Sequence, residues 1–174
     1  ESLLGIATSP VSSDLVQVQH QEAEPCAAAS ALAKIAPERA VAALLPGFDL
    51  DPGSDDIGQW WLASRFYCVG PAAASELPHL LEMLSRPGFR DKVRALDAIK
   101  AIGPAAIAAL PDVVEHLKHS HQNLRWRAVW TIGALGPAAA EALPQLEERF
   151  AADPSLRNYI VREAHRFGMA SESL

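Results

Sequence analysis

Six histidines, two cysteines and a cluster of aspartates carry the most reactive chemistry in this chain, and their spacing limits what they can do. The histidines are His20, His79, His116, His119, His121 and His165. None stands in an HExxH pattern, and their spacings from Cys26 and Cys68 suit no tetrahedral zinc site. His119-Ser120-His121 falls in a predicted turn and reads as a surface loop rather than a metal centre. The stretch DLDPGSDD, Asp49 to Asp56, has the outline of a calcium loop. Gly53 stands where the third ligand belongs, however, and Trp60 where a closing bidentate Glu is needed. No phosphate loop, nucleophile elbow or dinucleotide fingerprint occurs. The two cysteines form no CxxC pair and no disulfide framework, so the expectation is small buried thiols in a reducing compartment, the cytoplasm. The chain starts at Glu1 without an initiator Met, which leaves room for a removed signal peptide. These residues predict no catalytic constellation, no metal and no cofactor.

What would position any site is written three times. GPAAASELP from Gly70, GPAAIAALP from Gly103 and GPAAAEALP from Gly136 follow one another at intervals of 33 residues. Gly suits a left-handed position just past a helix, and Pro suits the first turn of the next. Upstream of the Gly lie apolar ladders at helical spacing: Trp60, Ala63, Phe66, Val69; then Val93, Leu96, Ile99, Ile102; then Trp126, Val129, Ile132, Leu135. Downstream lie Ala74, Leu77, Leu80, Leu84, with Ile107, Leu110, Val113, Leu117 and Ala140, Leu143, Leu146, Phe150 as counterparts. Both sets have the period of amphipathic helices, so the unit is a helical hairpin. KIAPERAVAALLP, from Lys34, reads as a degenerate first copy with Ala36-Pro37 for Gly-Pro, and YIVREAHRFGMA, from Tyr159, reads as a capping helix. Pro78, Pro111 and Pro144 are predicted to bend the second helix of each hairpin from within.

VRALDAIKAIGPAAIAALPDVVEHL and WRAVWTIGALGPAAAEALPQLEERF resemble HEAT repeats, of the short bacterial type also found in phycobilin lyase-like proteins. The resemblance spans roughly residues 25–170. It implies an all-α fold, an α-α superhelix or right-handed solenoid, of about four to five HEAT-like hairpins. The expected organisation is an N-terminal segment 1–24 and a repeat domain 25–170 followed by a polar tail 171–174. The approximate units are 25–46, 58–85, 91–118 and 123–150, with a cap at 153–170 and an acidic loop at 46–57. HEAT-like metal oxygenases carry paired His-Glu dipeptides, and this chain has none.

Aligning the copies isolates the residues free to do something else. Arg94, Arg127 and Arg162 share one slot of the first helix, which the resemblance assigns to bridging neighbouring repeats. Asp97, one turn after Arg94, is a candidate partner for Arg127. Trp61 replaces the arginine in an earlier copy, and Trp130 aligns with Asp97. These two rings are expected either to pack along the ridge of first helices, each against an Arg, or to anchor a partner. On the second helices Glu82, Glu115 and Glu148 share one slot, and His79, Asp112 and Gln145 the slot one turn earlier. The resemblance places that helix on the concave side, making an acidic stripe there.

Net charge is −6, and residues 1–60 hold nine acids against Lys34 and Arg39. No basic field covers the chain, so a nucleic-acid groove is disfavoured, although Arg86, Arg90, Lys92, Lys118 and Arg125 gather near turns. No apolar run is long enough to cross a membrane. The function expected is a non-catalytic scaffold binding a protein with a basic surface, in one form an inhibitor or immunity-type partner of a basic enzyme. The alternatives are a phycobilin lyase-like enzyme or subunit and a HEAT-like nucleic-acid-binding protein.

Overall fold

The computed structural model describes residues 23–44 and 65–153, and among these there is no strand. The expected acidic loop, the capping helix, Trp60, Trp61 and Arg162 lie outside the described residues, as do all but the last two residues of the N-terminal segment. The chain divides into two compact units, residues 1–73 and 74–174.

In the first unit α1 (Ala23–Ile35) and α2 (Pro37–Leu44) meet at Ala36, and residues 65–69 are helical, labelled α3. Pro37 cannot extend α1, but its fixed φ suits the first turn of α2. No residue other than glycine has positive φ among the described residues, so Ala36 makes this break without left-handed backbone. Ala28, Ala29, Leu32 and Ala40 are buried, as are Phe66 and Val69. Ser30 Oγ donates to the Cys68 carbonyl at 2.8 Å. Cys68 is disulfide-bonded, which overturns the expectation of free thiols. Spacing in one sequence cannot reveal a pairing between cysteines far apart in the chain.

The second unit is built from α4 (Leu77–Ser85), α5 (Phe89–Ile102), α6 (Leu110–Glu115), α7 (Gln122–Leu135) and α8 (Leu143–Ala152). Stretches of 3-10 helix over Gly103–Ala109, His116–Lys118 and Pro137–Ala142 join them, and another, Gly70–Glu76, leads into α4. α5 packs along α7, the 3-10 stretches Gly103–Ala109 and Pro137–Ala142 pack on each other, and α4 and α6 each pack on the 3-10 stretch of the following hairpin. This is the two-layered stacking of an all-α repeat solenoid.

Each first helix ends as the Gly-Pro pairs predict, with one refinement. Gly103 has φ 69 and ψ −141, and Gly136 has φ 80 and ψ −164. Positive φ with extended ψ is open essentially only to glycine. A Cβ on Gly136 would stand 3.7 Å from Pro104 Cγ, so successive breaks lie on one another.

The second helices differ from expectation. They open as 3-10 helix, which turns every three residues rather than every 3.6. The buried positions are therefore Ala106 and Ala109, then Leu110, Val113 and Leu117. In the next copy they are Ala139, Ala142 and Leu146. Ala74, Ile107, Ala140 and Leu143, placed on the buried ladder by a uniform α period, are only half-buried. Pro78, Pro111 and Pro144 stand in the first turn of α4, α6 and α8, not in a helix interior. The N–H that proline lacks is unused there, so these prolines start the α segment rather than bend it.

The seam is aliphatic. Leu96, Ile99 and Ile102 of α5 meet a layer containing Leu124, Ile132 and Leu135 of α7, all at most 1% exposed. Burying each such side chain stabilises by about 1.5–3 kcal/mol.

Candidate functional site

The second-helix layer presents its outer positions in register. Glu82 on α4, Glu115 on α6 and Glu148 on α8 are all exposed. One turn earlier His79 is half-buried, Asp112 exposed and Gln145 half-buried. The registration follows from the fold. Leu80, Val113 and Leu146 are buried in corresponding places, which turns the neighbouring Glu positions outward. α4 packs on the 3-10 stretch before α6, and α6 on the one before α8, so the three glutamates stand on successive units of the stack. Arg86 answers part of this charge, with Nη2 donating to Glu82 Oε1 at 3.2 Å.

The first-helix layer carries the cross-braces. Arg94 is buried, at 3% exposure. Arg127 occupies the equivalent place on α7 but is only half-buried, and its Nη1 donates to Asp97 Oδ2 on α5. Its Nε donates to Asn123 Oδ1 at 2.7 Å, which holds the guanidinium level with the carboxylate. Burial pushes the Asp97 carboxyl above its usual range, against the pull of Arg127 and Lys100. Trp130 is half-buried on α7, and the cation over its ring is Lys100 of α5, with Nζ 5.4 Å from the ring centroid. The expected partner there was an arginine. Lys100 has the reach because it lies one turn beyond Asp97 on the same helix face. Trp126, expected in the core, is half-buried.

Several braces were missed in the sequence. Thr131 Oγ1, fully buried, lies 2.8 Å from the Arg127 carbonyl and 3.1 Å from the Leu96 carbonyl, fastening α7 to α5. Lys92 Nζ donates to the Leu84 carbonyl at 2.6 Å, at the end of α4. Arg125, one repeat later, donates from Nη1 to the His119 and Ser120 carbonyls at 3.0 Å and pairs with Asp153. A cation at a recurring slot that meets the carbonyl end of the preceding helix is favoured by the helix dipole. The 33-residue register of Lys92 and Arg125 was the available signal.

Among the described residues no group of three or more His, Cys, Asp or Glu is placed to hold a metal ion. No described helix is long and apolar enough to cross a membrane.

Comparison with known families gives two matches. The model for HEAT repeats matches residues 77–166, and that for the PBS lyase HEAT-like repeat matches residues 25–49. No curated protein matches the chain.

Proposed function

Because the chain belongs to the HEAT-repeat family, we propose that it is a non-catalytic scaffold that grips another protein through the acidic face of its second helices. The observation that carries this reading is the alignment of Glu82, Glu115 and Glu148, exposed on three successive stacked elements. A row of carboxylates braced by a stiff aliphatic seam loses little conformational entropy on binding, since the backbone that carries it is already ordered. The complementary surface is basic. A protein that blocks a basic enzyme by covering its cationic face is the specific form proposed. The ridge carrying Trp130 is a second contact surface, with Lys100 holding the ring in one orientation.

The compartment follows from other chemistry. Disulfides persist in oxidising surroundings and are rare in the cytosol, so the bond at Cys68 supports an oxidising compartment over the cytoplasm.

A lyase-type reading, as an enzyme or a subunit, is favoured by one observation only, the PBS lyase HEAT-like match over residues 25–49.

The test is charge reversal. The chain and its Glu82→Lys, Glu115→Lys, Glu148→Lys triple variant are used to capture partners from the source cells. The captured protein is then identified, purified and titrated against both forms. The expected result is a basic protein whose affinity falls by at least tenfold in the triple variant and weakens with added salt. Equal affinity for both forms removes the acidic face from the account.

A further inference from the structure

The turn between α6 and α7 holds a row of rings that the proposed binding face does not use. Phe89, 40% exposed at the start of α5, lies with its ring centroid 5.0 Å from that of His121. His121 follows His119 at 5.7 Å, and His119 follows His116 at 6.0 Å with the two rings nearly parallel. The hydrogen bonds fix where the protons sit. The His121 backbone N–H donates to His119 Nδ1 at 3.1 Å, so that nitrogen is an acceptor and the ring's proton resides on Nε2. His116 Nδ1 lies 2.9 Å from the Asp112 carbonyl, which can only accept, so His116 carries its proton on Nδ1. His116 keeps that bond whether neutral or charged. His119 cannot, because protonation fills the nitrogen that the His121 N–H needs.

We propose that residues 119–121 form a proton-operated latch, in which neutral His119 pins the residue that starts α7 and protonated His119 releases it. His121 is the N-cap of α7, so its N–H stands at the junction between successive hairpins. The surroundings set the direction of the switch. The groups that act on the His119 ring are His116, Lys92 of α5, His121, and Arg125 of α7, all in the direction that disfavours its protonation. Lys118 adds a further cation in the same 3-10 turn. Of the elements packed on this turn, α6 carries Asp112 and Glu115, and α8 carries Glu147, Glu148 and Arg149. Asp153, just past α8, is engaged by Arg125 through Nε and Nη2 at 3.1 and 3.0 Å. Partial burial, then these groups, hold His119 below the usual imidazole range. The contacts of Arg125 with the His119 and Ser120 carbonyls do not titrate with it. Acid therefore frees the His121 N–H, while the bonds from the Leu124 and Arg125 N–H groups to the His121 carbonyl keep the first turn of α7 in place.

Nuclear magnetic resonance of the full chain tests this. Imidazole nitrogen shifts report the tautomer of His119, and hydrogen exchange reports the protection factor of the His121 amide, corrected for intrinsic exchange, from pH 7.5 down to pH 5. The expected result is an Nε2–H tautomer at neutral pH and a protection factor at His121 that falls at least tenfold as His119 titrates. His119→Asn supplies an oxygen acceptor that does not titrate, and in this variant the fall should vanish. An Nδ1–H tautomer at neutral pH, constant protection through the titration, or an unchanged fall in His119→Asn would each overturn the proposal.

Discussion

Asp97 and Arg127 show how a single pair can be structurally placed and still carry an electrostatic cost. Taking the carboxylate out of water opposes its ionisation more than Arg127 assists it, so its pKa rises from the ordinary 3.8. The folded protein then holds a proton on Asp97 at pH values where the unfolded chain has released it. The stabilisation from this group is complete below 3.8 and is lost as pH rises through the elevated value. Asp97→Asn keeps the shape and an acceptor for Arg127 but has nothing to titrate. Relative to the parent, the variant should gain stability between pH 3.5 and pH 7, as read by urea denaturation at each pH. Parallel curves for the two proteins would show that Asp97 does not shift. His119 runs the other way. Its lowered pKa makes its contribution complete above 6.5, lost as pH falls, and His119→Asn should lessen acid destabilisation in the same experiment. The slot of Arg127 and the place of Asp97 one turn beyond Arg94 are readable in the sequence. The Thr131 brace is not, because its counterpart one repeat earlier is Ala98 and the copies give no hint of a hydroxyl.

Individual elements depend on where the helical period changes. Gly103 has φ 69, and a Cβ there would meet only the Ala134 carbonyl at 3.6 Å, so space is not what demands glycine. Gly103→Ala should cost about 1–3 kcal/mol through backbone strain alone. Gly88→Ala, at an N-cap with φ −66, should cost under about 1 kcal/mol. Thermal melts of the two variants separate these causes, and equal losses would remove the conformational argument. Leu110→Ala should cost about 2–5 kcal/mol, because Leu110 is 2% exposed where 3-10 gives way to α. The hairpins and their breaks were legible because Gly-Pro has a definite backbone meaning and recurs every 33 residues. The inner face of the second helices was misread by one residue at Ala74, Ile107 and Ala140. An Ala-rich stretch does not announce whether it turns every 3.0 or 3.6 residues, and the proline at its end serves both as a breaker and as a starter. The outer row of Glu82, Glu115 and Glu148 survived that error, since it lies beyond the slip, where the α period is restored.

At the scale of the whole molecule, the described residues of the two units bury side chains of different size. Described core residues of the second unit include Leu80, Met83, Leu84, Leu96, Ile99, Ile102, Leu117, Leu124, Ile132 and Leu135, all at most 1% exposed. In the first unit the buried described residues are mostly alanines, with Leu32, Phe66 and Val69 as the larger side chains. Small side chains withdraw little apolar surface from water, so a cross-link matters more there. Cys68 provides one, and Cys26, on α1, is the chain's other cysteine. A loop of about 40 residues closed by a disulfide is stabilised by about 2–4 kcal/mol, chiefly by narrowing the unfolded ensemble. Reduction should therefore act on one unit and spare the other. Hydrogen exchange with and without dithiothreitol is expected to show amides of α1 losing protection tenfold or more, while those of α5 and α7 keep theirs. Cys68→Ser should reproduce the reduced pattern in the absence of reductant, which separates loss of the cross-link from any other effect of the reagent. Uniform loss across both units would mean that the alanine-rich half and the aliphatic half unfold as one cooperative body. Unchanged exchange at α1 would mean that helix packing around Leu32 and Phe66 holds the first unit without the bond.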